Sequence, residues 1–211
     1  MFSRNKSKLK SLTAMGAALA VLTFSSVSAT AATLSTGLTE NNGQRGVMFN
    51  IETGSSALVL ESLATDFFVG TTAAYEIYYT IGDFTAVQNS PEEWTLLDSI
   101  SDFTGTAGLQ SWDFVDLLLP ANETIGLYVT NTFGGGIRYA NGTAVGSTLA
   151  SDDNLTIFGG VGRSYAFGST FSPRNFVGSL DYSVAAVPLP AGLPLLLAGL
   201  GGLGLVQRRR R

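Results

Sequence analysis

Apolar and polar residues alternate at several places in the middle of the chain. The alternation is clearest over residues 47–51, 75–81 and 125–130, where β-branched and aromatic side chains occupy every second position. A period of two is typical of strands that bury one face. Further apolar stretches that predict strands lie at 57–63, 94–100, 114–119, 137–139, 154–158 and 175–184.

Turn-forming residues separate these segments, for example Gly82-Asp83 and Asn141-Gly142. No long pattern with a helical period competes with the strand pattern in this part of the chain. We therefore expect residues 33–186 to form one all-β domain of about nine or ten strands, a jelly-roll-like two-sheet β-sandwich. Helices are expected at the two ends only, as an N-terminal signal helix and a C-terminal transmembrane helix.

Residues 1–32 have the three-part pattern of a secretory signal peptide. A basic segment comes before an apolar stretch over residues 12–24, which is too short to span a bilayer comfortably. Small residues follow, so we expect the Sec translocon to export the chain and signal peptidase to cut after Ala29 or Ala31. An uncleaved membrane anchor is the alternative. The basic residues are Arg4, Lys6, Lys8 and Lys10.

Residues 187–211 combine a proline-containing motif, an apolar run and a basic end. The run over about 190–206 has no charge and is near the lower length limit for a transmembrane helix. The basic end predicts a cytoplasmic C-terminus by the positive-inside rule. The motif is Val187-Pro188-Leu189-Pro190-Ala191, and the basic cluster is Arg208, Arg209, Arg210 and Arg211.

This tripartite end resembles the PEP-CTERM family of bacterial sorting signals, and residues 187–191 match its VPLPA variant letter for letter. The resemblance implies recognition by a membrane-embedded exosortase and cleavage near the motif. The body would pass from the inner membrane, as a sorting intermediate, to the cell surface or extracellular matrix. The resemblance also implies a Gram-negative host, often one that makes exopolysaccharide. A permanent single-pass tail anchor is the alternative.

The body between these two ends is strongly acidic. The chain has 12 basic and 16 acidic residues, and eight of the basic ones belong to the ends. The body keeps four arginines (Arg45, Arg138, Arg163 and Arg174) against all 16 carboxylates, which gives it a formal charge of −12. Such a surface repels nucleic acid and anionic lipid, so no nucleic-acid partner is expected.

Several segments of the body resemble an uncharacterised β-sandwich module of secreted and surface-anchored bacterial proteins. The matching segments follow one another in order across nearly the whole body, which supports the expected fold. The family has no established catalytic or ligand residues that could be transferred to this chain. The segments lie at 48–51, 75–79, 94–97, 119–130, 137–142, 155–162 and 171–174.

The chain has no His and no Cys, which excludes Ser-His-Asp and Cys-His catalysis, disulfides and the usual zinc sites. Paired carboxylates could in principle hydrolyse glycosides, but their spacing singles out no acid and base. We therefore expect no cofactor and no enzyme activity; a carboxylate-dependent hydrolase is the least favoured alternative. The carboxylates considered are Glu92, Glu93, Asp98, Asp102, Asp113 and Asp116.

Two acidic neighbours, Asp152 and Asp153, are weak candidates for calcium ligands. They lack the spacing of an EF-hand loop, and an Asx turn before the strand at Leu155 explains them equally well. Three aromatic residues, Tyr78, Trp94 and Trp112, are weak candidates for stacking on sugar rings, although most aromatic residues of a sandwich belong to its core.

Arg138 and Arg174 lie among aromatic residues, and we expect each to have a fixed carboxylate or aromatic partner. The glycine-rich segment 159–162 is expected to give backbone freedom at a sheet corner. Together the patterns favour an exported protein with a structural or adhesive role at the cell surface. A carbohydrate-binding module for exopolysaccharide is the main alternative.

Overall fold

A computed structural model describes residues 31–133 and 135–186, and these residues form fourteen strands with almost no helix. The expectation of an all-β body is confirmed. One α-helical turn, α1 (Phe84–Val87), and one 3-10 turn (Pro91–Glu93) come between the fifth and sixth strands. The strands are β1 (Ala31–Ser35), β2 (Asn42–Gln44), β3 (Gly46–Thr53), β4 (Leu58–Phe67), β5 (Thr72–Ile81), β6 (Thr95–Thr104), β7 (Leu109–Leu119), β8 (Thr124–Phe133), β9 (Ile137–Asn141), β10 (Thr148–Ser151), β11 (Leu155–Phe158), β12 (Gly160–Arg163), β13 (Thr170–Asn175) and β14 (Gly178–Val184).

All fourteen strands belong to one hydrogen-bonded network, in which the strand pairs are antiparallel. One group of strands has the order β1-β14-β4-β7, and a second has the order β3-β8-β5-β6. On the other edge of β3, β11 and β12 lie end to end. The two groups are linked by β9, which pairs with β4 and also with β13.

The main core lies between these two groups and uses the inward positions that the alternation predicts. Val47, Phe49 and Ile51 of β3 are fully buried, and so is Leu180 of β14. The Phe49 ring stacks on that of Phe176, which precedes β14, with 4.3 Å between the ring centroids. Burial of such side chains stabilises the fold by about 1.5–3 kcal/mol each.

Both ends of the described chain lie at the same end of the domain. Ala31 pairs with Ser183, and Leu58 pairs with Val184, so β1 begins where β14 finishes. We call this the terminal end. We call the opposite end the tip; it carries the turns at 68–71 and 105–108 and the connection that follows Phe133.

The strand count is higher than expected, because short strands without alternating apolar residues escape a pattern search. β1, β2 and β10 were missed for this reason. The expected strand at 175–184 corresponds to β14 and shares only Asn175 with β13, so β13 was not predicted either. The expectation of a corner at 159–162 was wrong, because residues 160–163 form β12.

The described residues contain no helix long and apolar enough to cross a membrane. The predicted signal peptide before residue 31, the sorting motif at 187–191, the predicted helix at about 190–206 and the arginine cluster all lie outside the described residues. Because β1 begins at Ala31, cleavage after Ala29 would leave this strand whole, whereas cleavage after Ala31 would remove its first residue.

Candidate functional site

A shallow groove of about 480 Å³ crosses the outer face of β1, β14, β4 and β7. Its floor consists of residues that pair with one another across the four neighbouring strands: Thr33, Asp181, Ser62 and Asp113. The Asp181 carboxylate accepts hydrogen bonds from the Thr33 hydroxyl at 2.5 Å and from the Ser62 hydroxyl at 2.7 Å. Small hydroxyl side chains and carboxylates therefore form the floor.

A β-bulge adds a third carboxylate to this groove. The pairing of β4 skips Glu61 on both sides, because Leu60 and Ser62 pair with residues of β14 and of β7 while Glu61 pairs with neither. Bulges of this kind redirect a side chain. The Glu61 carboxylate accepts a hydrogen bond from the Ser183 hydroxyl at 2.6 Å and lines the groove.

Among the described residues, the lining of the groove offers hydrogen-bond acceptors but no aromatic ring and no cation. Its lining residues are alanines, hydroxyl residues and the three carboxylates. In the described part of the chain, no three acidic side chains converge closely enough to hold a metal ion. A ligand with several hydroxyl or amino donors fits this chemistry best.

The structure places Asp152 in a turn before β11. Its carboxylate accepts hydrogen bonds from the N–H groups of Asn154 and Leu155, both at 2.9 Å, and from the Tyr182 hydroxyl at 2.7 Å. Burial alone would raise the pKa of Asp152, but these hydrogen bonds hold it below its ordinary value. Burial and this contact raise the pKa of Tyr182 to about 12. Asp153 is exposed beside this turn.

The three candidate aromatic residues lie in two different places. The Trp112 side chain is 3% exposed in the main core, and its indole N–H donates to Asp98 at 3.0 Å. Trp94, 7% exposed, belongs to a second apolar cluster on the outer face of β3, β8 and β5. Neither indole ring is open to a sugar.

Tyr78 packs against the edge of this second cluster and is partly exposed. Its hydroxyl donates to the Glu76 carboxylate at 2.7 Å. Burial, followed by this hydrogen bond, raises the pKa of Tyr78. Its ring is 5.5 Å from that of Phe167, centroid to centroid, in an edge-to-face arrangement.

A buried cation, Arg163, holds the segment that covers the second cluster. Its guanidinium donates to the carbonyls of Gln88 and Phe167, both at 2.7 Å, to Asn89 Oδ1 at 3.0 Å, and to the Thr170 hydroxyl. Its side chain is fully buried, and this burial lowers the pKa of Arg163. No carboxylate pairs with it within the described residues.

Sequence reasoning missed the role of Arg163, although one signal was present. An arginine that ends a run of Gly and Val in a body with only four cations is unusual, but its partners are backbone carbonyls from distant segments. Because every residue has a backbone carbonyl, the identities of the partner residues give no sign of these hydrogen bonds. By contrast, the fixed partners expected for the other two arginines are confirmed.

Arg138 and Arg174 each have a defined partner. Arg138 forms an ion pair with Glu40 at 2.6 Å, and its Nε is 3.8 Å from Asp66. Burial raises the pKa of Asp66, although Arg138 opposes the shift. The Arg174 guanidinium lies 5.9 Å from the centroid of the Tyr139 ring.

The carboxylates considered for hydrolysis lie on several different elements. Glu92 and Glu93 are exposed on the 3-10 turn, and Asp98 accepts the Trp112 N–H. Asp102 is exposed on β6, while Asp113 and Asp116 are exposed on β7. Of these six carboxylates, Asp113 is the only one that lines the groove.

Comparison with protein-family models gave no match, and comparison with curated proteins gave none either. Among solved structures, the chain is similar to the clostridial cysteine protease Cwp84 after propeptide cleavage, at 18% identity and a TM-score of 0.43, over 74% of this chain and 40% of that one. It is also similar to the cysteine protease and lectin-like domains of Cwp84, a surface layer associated protein of Clostridium difficile. That match has 17% identity and a TM-score of 0.38, over 68% and 33% of the two chains.

A third similar structure is the VP2 subviral particle of infectious bursal disease virus. It is 12% identical with a TM-score of 0.30, over 88% of this chain and 50% of that one. The chain thus spans half or less of the length of each of these proteins. The likeness is too distant to assign a function.

Proposed function

We propose that this chain is exported, sorted to the cell surface or extracellular matrix by an exosortase, and has a structural or adhesive role there. The observation that carries this proposal is the contrast between the two ends of the domain. The terminal end leads into both targeting segments and carries exposed carboxylates beside separate exposed apolar residues such as Ile81 and Leu118, whereas the exposed apolar residues of the tip lie on loops that are held together. The carboxylates of the terminal end are Glu52, Asp83, Glu123, Asp152 and Asp153.

The apolar residues of the tip belong to connected loops. The Phe133 side chain is 76% exposed, Val69 is 54% exposed and Phe68 is 37% exposed. The Phe68 N–H donates to the Gly136 carbonyl at 3.1 Å, so the turn after β4 and the connection after β8 are held together. Contiguous exposed apolar side chains mark contact sites, and these loops bring three such residues to one end of the domain. Attachment at the terminal end would leave this tip facing outward.

The proposed fold is a jelly roll, and the strand orders support it. Eight strands make up the two groups; numbered from one to eight along the chain, they are β1, β3, β4, β5, β6, β7, β8 and β14. In this numbering the first group has the strand order 1-8-3-6, and the second group has the order 2-7-4-5. This is the arrangement that two Greek keys produce in a jelly roll. The strands β9 to β13 would then be an insertion between the last two.

Mass spectrometry of the protein recovered from its host tests the sorting proposal. We expect a mature N-terminus at Thr30 and a C-terminus near residues 187–191. A double Pro188→Ala, Pro190→Ala variant should keep its C-terminal segment, because it alters the motif. A wild-type protein that still ends in Arg211 would contradict sorting by cleavage.

Substitution at the tip tests the adhesive role. We expect Phe133→Ser to reduce retention of the exported protein on an octyl-coated surface, because Phe133 is the most exposed large apolar side chain of the described residues. Val115→Ser is the matched control, since Val115 is 73% exposed but lies on β7, away from the tip. Equal losses for both variants would show that general surface hydrophobicity, and not the tip, causes retention.

Carbohydrate binding is a second candidate, favoured by the groove with its three carboxylates and its hydroxyl floor. Carboxylate oxygens accept hydrogen bonds from sugar hydroxyls. On an array of host exopolysaccharide fragments, Asp113→Asn should weaken binding by the exported protein. Asp116→Asn, on the same strand but outside the groove, should not. No binding by the wild-type protein would eliminate this candidate.

A further inference from the structure

The outer edge of β1 is an unprotected sheet edge. No strand in the described part of the chain pairs with it, because β1 is the last strand of its group. Its sequence, Ala-Ala-Thr-Leu-Ser, has no charge and no proline, and its pairing with β14 has no bulge. Charges, prolines and bulges are the usual devices that prevent a sheet edge from pairing with another chain.

The direction of the backbone groups along β1 follows from one hydrogen bond. Thr36, just after β1, donates its N–H to the Gly178 carbonyl at 3.0 Å. In an antiparallel ladder the direction alternates, so Leu34 also points its backbone groups at β14. The N–H and carbonyl groups of Ala31, Thr33 and Ser35 then point to the open edge.

Charge and length together leave β1 as the most favourable edge for two copies to approach, because it is longer than the other uncharged edge strands, β2 and β10. The body has a formal charge of −12. The other edge of the same group, β7, carries Asp113 and Asp116, and the neighbouring edge strand β6 carries Asp98 and Asp102. By contrast, neither β1 nor β10, which lies near it, contains a charged residue.

We propose that two copies of this chain pair through β1, antiparallel and with the two-fold axis between the two Thr33 residues. Ala31 of each copy then lies opposite Ser35 of the other, and the outward groups form about six hydrogen bonds. Each Asp181 is one strand behind β1, so the two Asp181 residues lie roughly 14 Å apart. This separation exceeds the screening length of about 8 Å at physiological salt.

The pairing has a consequence for attachment, and this step rests on the proposed surface delivery. A two-fold axis between antiparallel strands points the two terminal ends in opposite directions. Two copies held by their C-terminal segments in one membrane therefore cannot pair in this way. Copies released into a matrix, or attached to two facing surfaces, can.

Cysteine cross-linking tests the pairing, and the absence of native Cys makes the result unambiguous. The full chain, purified in detergent, would carry Thr33→Cys. Paired residues are about 5.5 Å apart between Cα atoms, within the range for a disulfide. We expect mild oxidation to shift Thr33→Cys to the mass of a dimer. Ser101→Cys, exposed on β6, is the control and should remain mostly monomeric.

The register supplies a stricter test. Ala31→Cys and Ser35→Cys should cross-link to each other when the two variants are mixed, and much more slowly when each is alone. Equal cross-linking rates for Thr33→Cys and Ser101→Cys would overturn the proposal. These results concern pairing alone and do not depend on whether the chain is sorted to a surface.

A proline variant tests the same edge without oxidation. Thr33→Pro removes one outward N–H and leaves the bonds from β1 to β14 in place, which is the position where an edge strand tolerates proline. We expect it to shift the non-covalent dimer to monomer in analytical ultracentrifugation. Thr33→Val, which also loses the hydroxyl but keeps the N–H, should remain dimeric. A wild-type chain that is monomeric even at high concentration, and whose Thr33→Cys variant fails to cross-link, would also overturn the proposal.

Discussion

Replacement of Arg163 by methionine is expected to lower the free energy of unfolding by about 3 kcal/mol. The half-buried carbonyls of Gln88 and Phe167 would lose their donor, and an orphaned buried acceptor costs about 1–3 kcal/mol, whereas the acceptors of Asn89 and Thr170 belong to exposed residues and can turn to water. Removal of a buried charge offsets part of this loss, because Arg163 has no carboxylate partner among the described residues. The cost of the two orphaned carbonyls exceeds this gain, so we expect a net loss of stability.

Urea unfolding followed by tryptophan fluorescence measures this effect. Trp94 reports on the second cluster, since its ring centroid is 5.9 Å from that of Phe167, whose carbonyl binds Arg163. Arg45→Met is the control. Within the described residues the Arg45 guanidinium makes two long hydrogen bonds, at 3.3 and 3.4 Å, and its replacement should cost less than about 1 kcal/mol. Equal unfolding midpoints for the two variants would contradict a stabilising role for Arg163.

The Arg163 contacts also explain why the aromatic candidates do not form an exposed ring surface. The segment that Arg163 holds places Phe167 against Trp94 and Tyr78. The sequence indicated that these residues were aromatic and near strands. It could not indicate that residues 164–169 cover them, because that contact depends on carbonyl groups and on a segment with no pattern of its own.

The strands that alternate clearly were predictable, and the structural reason is burial of one face. β3, β5 and β8 lie next to one another in the network, and the inward residues Val47, Phe49 and Ile51 of β3 belong to the core. β1 and β10 lie at edges, where few side chains are buried and no alternation is needed. Pattern reasoning therefore finds the centre of such a domain more readily than its edges.

The groove was not predictable for a different reason. Thr33, Glu61, Asp113 and Asp181 are far apart in the chain and come together only through strand order and a bulge. The turn at Asp152, by contrast, depends on residues next to it, and the Asx turn was one of the two explanations that the sequence offered. Contacts between residues that are close in the sequence could therefore be predicted, whereas contacts between residues on different strands could not.

Gly160 is the position where a single added methyl group should do most harm. It begins β12, and a Cβ atom there would lie 1.8 Å from the Met48 carbonyl oxygen and 2.9 Å from the Phe49 Cα atom. Both atoms belong to the backbone of β3, so no side-chain rotation relieves the overlap. Gly160→Ala is expected to cost about 3 kcal/mol of stability or more.

Gly108→Ala is the control, because it tests the cost of a positive φ without any steric overlap of the added methyl group. Gly108 has a φ of +85° in the turn before β7, with no atom within 4 Å of an added Cβ. Backbone strain alone should cost this variant about 1–2 kcal/mol. The midpoint temperature of thermal unfolding should therefore be well below that of Gly108→Ala for the Gly160→Ala variant. The reverse order would mean that β12 can move away from β3 at little cost, and that Gly160 serves the chain as a flexible corner.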